Sequence, residues 1–274
     1  MRAYVRLSSV LLLAGLTSGC ITALTNIKLR PDGSGTIEQT LSMSAAAASQ
    51  FAEMASGFGG AAPGAKKGEL PEFFSEKDMK EAAAKYGEGV VFVSSTPIKT
   101  ADRVGRIATY QFADIRTLRI DQKPQTGDMP GASSDKAKED VLFRFAKQPS
   151  GTSQLTVVFP EDKLEKAKKK ATTDEDGKKK SLEPGQLEMM KKLFDGLKVA
   201  IDVEVLGTIV KTNSPHVQGS KVTLLEMDFS QLLANDQLLA QIGEPGSIEE
   251  AKQMLKNVKG FKVNLDREVT IEFK

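Results

Sequence analysis

Residues 21–43 read ITALTNIKLRPDGSGTIEQTLSM, and the fold turns on how this stretch is read. Ile21, Ala23, Thr25, Ile27 and Leu29 share one parity, so an extended chain puts them on one face. Pro31-Asp32-Gly33-Ser34-Gly35 interrupts that run with residues suited to a reversal of direction, and Ile37, Leu41 and Met43 then resume the period of two. Two one-faced runs around such a turn predict a β-hairpin.

Working outward, Ser44 to Ser56 reads as an Ala-rich helix carrying Phe51 and Met54, stopped by Gly57-Phe58-Gly59-Gly60. Ser75 to Tyr86 reads as a second helix, with Ser75 and Asp78 spaced as a capping box and Gly87 as its stop. Val90 to Ser94 and Val104 to Phe112 are rich in β-branched and aromatic residues and read as strands, followed by a polar loop from Asp121 to Asp140. A second hairpin is predicted from Val141, Phe143 and Phe145, the turn Gln148-Pro149-Ser150-Gly151, and the return Leu155, Val157 and Phe159.

Beyond a charged insertion, Glu161 to Glu183, a helix is predicted from Pro184 with Leu187, Met190, Phe194 and Leu197 on one face. Val199, Ile201, Val203 and Val205 form a one-faced strand expected to pair with Val222 to Phe229. The apolar phase of that partner switches between Leu224 and Leu225, which calls for a β-bulge. Helices are predicted over Ser230 to Ile242 and from the capping box Ser247/Glu250 to Val258, and Val269, Ile271 and Phe273 make a last strand.

Hairpins with helices inserted in groups argue an α+β class: an antiparallel β-sheet with helices packed on one face and a C-terminal helix pair. The chain divides into a leader, 1–19, a body, 20–229, with insertions at 44–87 and 161–197, and a C-terminal part, 230–274, packed on the same domain.

The leader has Arg2 and Arg6 ahead of a short apolar run, Leu7 to Leu16, which is too short to span a bilayer. It ends in Leu16-Thr17-Ser18-Gly19-Cys20, which resembles the lipobox of bacterial lipoproteins, with Thr17 where Leu is usual. That resemblance implies that Cys20 becomes the mature terminus and carries the acyl anchor. The alternative is an ordinary secretory leader that leaves Cys20 as a free thiol. Removing nineteen residues takes away Arg2 and Arg6 and no acid, leaving 36 basic against 36 acidic side chains, so attachment to a membrane rests on acyl chains and not on net charge. Ile21 after the cysteine favours the outer membrane where the source has two membranes, and otherwise the outer face of the plasma membrane. No Gly/Ser/Pro spacer separates Cys20 from the first strand, so the domain is expected close to the bilayer.

Chemistry-bearing residues are sparse. His216, in a turn between strands, is the sole histidine and the only side chain of the usual type for a triad base, and its plain reading is a surface loop residue. Cys20 and His216 cannot assemble a tetrahedral zinc site. Asp202 with Glu204 and Glu226 with Asp228 alternate with apolar residues and read as the solvated face of the sheet. Thr172 to Glu183 has EF-hand spacing at Asp174, Asp176, Gly177 and Glu183, but Thr172 at the first place and Lys178, Lys179 and Lys180 oppose cation binding. The Lys-rich segment 163–180 reads as a solvated stretch or as a contact for anionic head groups. Neutral overall charge gives no case for nucleic acid. No catalytic, cofactor-binding or metal residue is assigned.

Cys20, Pro31-Asp32, Gly35-Thr36-Ile37, the Gly89 to Val91 strand, and Val203-Glu204-Val205 with Gly207, Thr212-Asn213 and Gly219-Ser220-Lys221-Val222 follow one another in an arrangement that resembles the LppM-type family of bacterial lipoproteins. The likeness covers Cys20 to Phe229 and implies an exported, acyl-anchored α+β domain similar to lipid-transfer and lipid-binding folds, without catalytic residues. The expectation is a non-enzymatic envelope lipoprotein, held to the membrane through Cys20, that binds lipid, another apolar ligand or an envelope protein. A carboxylate-dependent hydrolase of envelope material and a structural spacer are the competing readings.

Overall fold

The computed structural model describes residues 21–49, 74–121, 140–160, 196–233, 258–264 and 266–274. The leader with Cys20, the loop 57–62, most of the 121–140 loop, the Lys-rich segment with its EF-hand-like stretch, the Pro184 helix up to 195 and most of the two C-terminal helices lie outside them.

Among the described residues, thirteen strands make two sheets. The first strands are β1 (Ile21–Leu29), β2 (Gly35–Ser44), β3 (Val91–Lys99), β4 (Arg103–Phe112), β5 (Arg119–Asp121), β6 (Asp140–Lys147) and β7 (Ser153–Val158). They are followed by β8 (Leu197–Val205), β9 (Ile209–Thr212), β10 (Val217–Gln218), β11 (Lys221–Asp228), β12 (Phe261–Val263) and β13 (Glu268–Phe273). The main sheet has the order β10-β11-β8-β1-β2-β4-β3, with β12 also on β11, and the second runs β5-β6-β7-β13-β9.

The expected α+β class is therefore corrected. Strands take 59% of the structure, and the one helix of seven or more residues among those described is Glu76–Ala82, prolonged by a 3-10 turn Ala83–Tyr86. The layer packed on the sheet is mainly another sheet. Of the first Ala-rich helix, residues 45–49 are helical, with Ser44 Oγ accepting from the Ala47 N–H at 3.1 Å. Of the C-terminal helix pair, the described part is the turn Phe229–Leu233. Leu197, read as the end of a helix, already belongs to β8, where its side chain is buried. The sheet is not purely antiparallel either, because β1 and β8 run parallel from Ile21↔Leu197 to Leu29↔Val205.

Several expectations hold in detail. β1 and β2 pair in full register from Ile21↔Met43 to Leu29↔Gly35, and β6 pairs with β7 as predicted. The phase switch in β11 is a register shift between Thr223 and Leu225 against β8. Ser75 and Asp78 form a reciprocal capping box. Both hairpins close through the same three-residue connection. Arg30 N–H donates to Ser34 O at 2.8 Å and Gly33 N–H to Arg30 O at 3.0 Å; Gln148 N–H donates to Thr152 O at 2.8 Å and Gly151 N–H to Gln148 O at 3.0 Å. Each has Pro second and a glycine at positive φ, +91° at Gly33 and +83° at Gly151, as such a turn requires.

The side chain of Asn213 stands in for backbone. Its Oδ1 accepts from Thr270 N–H at 2.8 Å and its Nδ2 donates to Glu268 O at 2.9 Å, extending the β9–β13 ladder by one side chain. The inward residues of the second sheet, Phe143, Leu155, Val157, Val269 and Ile271, belong to one apolar cluster with Ile27, Leu29, Ile37, Val203 and Val205 of the main sheet. That shared cluster is the core.

Gly35 opens β2 where the chain has no room for a side chain: a Cβ there would lie 2.1 Å from Lys28 O and 2.6 Å from the Phe112 ring. Gly89, at φ +77°, has open space around it. Gly35→Ala is expected to cost about 3 kcal/mol in urea unfolding, as overpacking against backbone does. Gly89→Ala should lose only the roughly 1–2 kcal/mol of left-handed strain. Equal losses would show that the Gly35 contact relaxes freely.

Candidate functional site

The main sheet turns two unlike faces outward and inward. On the outer face, alternation exposes the polar parity of β8, β11 and β1. Glu226 accepts from Lys262 at 2.6 Å and pairs with Lys198 at 3.4 Å. Asp202 accepts from Thr223 Oγ1 at 2.7 Å and Lys221 Nζ at 3.0 Å, and Glu204 from Asn26 Nδ2 at 3.0 Å. Burial by itself would push the Glu226 carboxyl up, but its hydrogen bond to Lys262 and the charges of Lys262 and Lys198 bring it below the ordinary glutamate value. Asp228 caps Ser230. These four acids are thus spread over a face where each is half-buried and paired or hydrogen-bonded, and not simply solvated as the alternation in sequence predicts.

His216 is half-buried, its Nε2 3.4 Å from Val263 O, and its backbone N–H donates to Ser214 Oγ. Ser214 Oγ in turn donates to Asn264 Oδ1 at 2.8 Å. Asn264 is itself buried and donates to Thr223 O and Leu224 O across the bulge. The histidine therefore belongs to a buckle that fastens the 213–216 loop to β11 and β12. Among the described residues no group of three His, Cys, Asp or Glu is placed to hold a metal.

The inner face under the helix Glu76–Ala82 is different. Gln39 is buried on the same face of β2 as Ile37 and Leu41, opposite Ala108 of β4. One same-face step to each side of Ala108 lie Tyr110 and Arg106, both buried. Arg106 donates from Nε to Phe74 O and from Nη1 to Ser95 Oγ, each at 2.9 Å, which ties the entry of the helix to the sheet. Tyr110 donates its hydroxyl to Met79 O at 3.0 Å, inside the helix. Tyr86, at the helix end, packs its ring on Tyr110 with centroids 4.9 Å apart.

Two polar atoms of this layer, Gln39 Oε1 and the Tyr86 hydroxyl, are buried without a hydrogen-bond partner among the described residues. A buried polar atom left so costs about 1–3 kcal/mol, which makes this the most polar and least satisfied part of the described core. Burial, with the neighbouring Tyr110 a smaller cause, holds the Tyr86 hydroxyl well above the ordinary tyrosine value, and burial does the same to Tyr110. Both stay protonated donors at neutral pH. Sequence reading passed over this layer, although the signal was present: Gln39 shares the parity of Ile37, Leu41 and Met43, and Arg106 that of Ala108, Tyr110 and Phe112. A polar residue in phase with a buried face was the mark.

Tyr86 and Tyr110 are the tyrosines that remain beyond the leader. Because folding raises both, their stabilising contribution is complete below the unfolded value near 10 and is lost as pH rises through and beyond it. Absorbance at 295 nm should show no ionisation near pH 10 and one cooperative step at higher pH, coincident with loss of far-UV ellipticity; a simple titration of either tyrosine near 10 would contradict the burial. Tyr86→Phe removes the unpaired hydroxyl and is expected to leave the ligand-free fold equally stable or about 1 kcal/mol more so.

No family profile matches the chain, and no curated protein matches it. Among solved structures, the NMR structure of the folded domain of LppM from Mycobacterium tuberculosis aligns over 94% of this chain and 91% of that one, at 9% identity and a TM-score of 0.34, a distant structural relation.

Proposed function

We propose that the chain is a non-enzymatic lipoprotein of the bacterial cell envelope, anchored through acylated Cys20, whose β-domain binds an amphiphilic molecule between the inner face of the main sheet and the helix Glu76–Tyr86. The observation that carries the binding reading is the pair of buried atoms, Gln39 Oε1 and the Tyr86 hydroxyl, left without a partner among the described residues in a layer where Arg106 and Tyr110 are both satisfied. Polar groups of a ligand reaching these atoms would satisfy them while its apolar part is removed from water, at about 25 cal/mol per Å².

The carboxylates support a non-catalytic role. Each described acid with a shifted value, Asp32, Glu76, Asp102, Asp114 and Glu226, is held below its ordinary range by hydrogen bonds and cations, the opposite of what a general acid needs. Location follows from Cys20 at the end of the apolar leader, and Ile21 beside it points to the outer membrane where there are two.

Native mass spectrometry of the chain from Ile21 onward is expected to show a co-purified species of lipid mass, diminished in Gln39→Leu and in Tyr86→Phe. A clean unliganded mass, unmoved by added envelope lipids, defeats the binding reading and leaves a buried water as the satisfying group. Intact mass of the full chain made with its leader is expected to show cleavage before Cys20 and acyl mass on it; an unmodified thiol defeats the anchoring.

A further inference from the structure

The strand register fixes which end of the domain an anchor at residue 20 would hold down. β1 pairs from its first residue, on both sides at once: Ile21 lies opposite Met43 of β2 and Leu197 of β8. Met43 continues the row to Val104 of β4, and Val104 to Lys99 of β3. At the other end of the same strands, Leu29 stands in a row with Val205, Gly35 and Phe112. Eight residue steps separate the two rows, about 26 Å at 3.3 Å per residue. Beyond the second row lie the turn Pro31–Ser34, Leu206, whose N–H donates to Leu29 O at 2.7 Å, and Lys274, paired in both directions with Thr208.

The geometry points to a bilayer-facing pole made of the Lys99–Val104–Met43–Ile21–Leu197 row, with the strands standing away from the membrane and the Pro31–Ser34, Gln148–Thr152 and Leu206–Thr208 turns presented to the envelope space. This rests on the acylation of Cys20 proposed above. One peptide bond joins that residue to Ile21, and Ile21 is in a strand bonded along both edges, so no flexible segment lies between the acyl chains and the centre of the sheet. A lipid attached there holds the row within one residue of the interface. The exposed ammonium of Lys99 lies in that row, at head-group level.

The test uses full-length acylated protein in vesicles of phosphatidylethanolamine and phosphatidylglycerol containing a head-group-nitroxide lipid. With the sulfur of Cys20 acylated, an introduced cysteine is the only free thiol, so Lys99→Cys and Leu206→Cys can each carry one fluorophore; both positions are exposed. Flotation with the vesicles is checked first. The expected result is loss of most of the fluorescence at position 99 and little at position 206. Equal quenching at the two positions in floating protein overturns the upright pole while the anchoring reading stands. Protein that does not float sinks both.

Discussion

Everything in this domain is arranged around β1, a strand bonded on both edges over all nine of its residues, antiparallel to the neighbour that follows it in sequence and parallel to one some 170 residues further on. Taking β1 away would leave β2, β4 and β3 on one side and β8, β11, β10 and β12 on the other, with no bond between them. Its inward residues Ile27 and Leu29 are fully buried in the cluster that both sheets share. The hairpin with β2 is local and forms with a short loop. Pairing with β8 must close a loop of many residues first, at an entropic cost that grows only with the logarithm of length, so stability tolerates the separation while folding rate carries the penalty.

That asymmetry also explains what could be read in advance. Alternation identified β1, β2, β6, β7, β8, β11 and β13 because each has one buried face, and a change of phase at Leu224 and Leu225 marks the bulge in the sequence itself. Alternation says which face of a strand is buried. It does not say what the strand lies beside or in which direction, so neither the parallel pairing of β1 with β8 nor the parting of the strands into two sheets was legible. Asn213 shows a related limit. Its amide is used as a substitute peptide group against Thr270 and Glu268, a role set by a strand 55 residues away.

The inner polar layer was half legible for a similar reason. Gln39 and Arg106 stand in phase with buried neighbours, which marks them as unusual, but whether such a residue is satisfied depends on what covers it. Arg106 is met by a backbone carbonyl before the helix and by Ser95, and Tyr110 by a carbonyl inside the helix. The helix thus lies on the sheet through polar fastenings as well as through Met79 and Ala82, and its docking angle is specified more narrowly than an apolar contact would specify it. Gln39 Oε1 and the Tyr86 hydroxyl are the members of this set left without a hydrogen-bond partner among the described residues.

What keeps the second sheet in place is fixed at the opposite end of β1 from Cys20. The turn Arg30-Pro31-Asp32-Gly33-Ser34 and the turn Gln148-Pro149-Ser150-Gly151-Thr152 have the same hydrogen bonds and the same order of residue types, and the first is fastened to its surroundings on two sides: Ser153 Oγ, at the start of β7, donates to Pro31 O at 2.7 Å, and Ile115 N–H donates to Gly33 O at 2.9 Å. The first turn therefore offers its carbonyls outward as acceptors, and β7 of the second sheet together with Ile115, just ahead of β5, supplies the donors. Apolar contact alone would let two sheets slide over one another, because it is nearly indifferent to direction. Two backbone carbonyls held rigid by a Pro-to-Gly turn set the position along the strands, and the close approach at Gly35, with no room for a Cβ against Lys28 O and the Phe112 ring, holds that turn tight against β1. The alignment of the second sheet is thus dictated from the β1–β2 turn, which is why the stretch that defines the first hairpin also governs how the two layers meet.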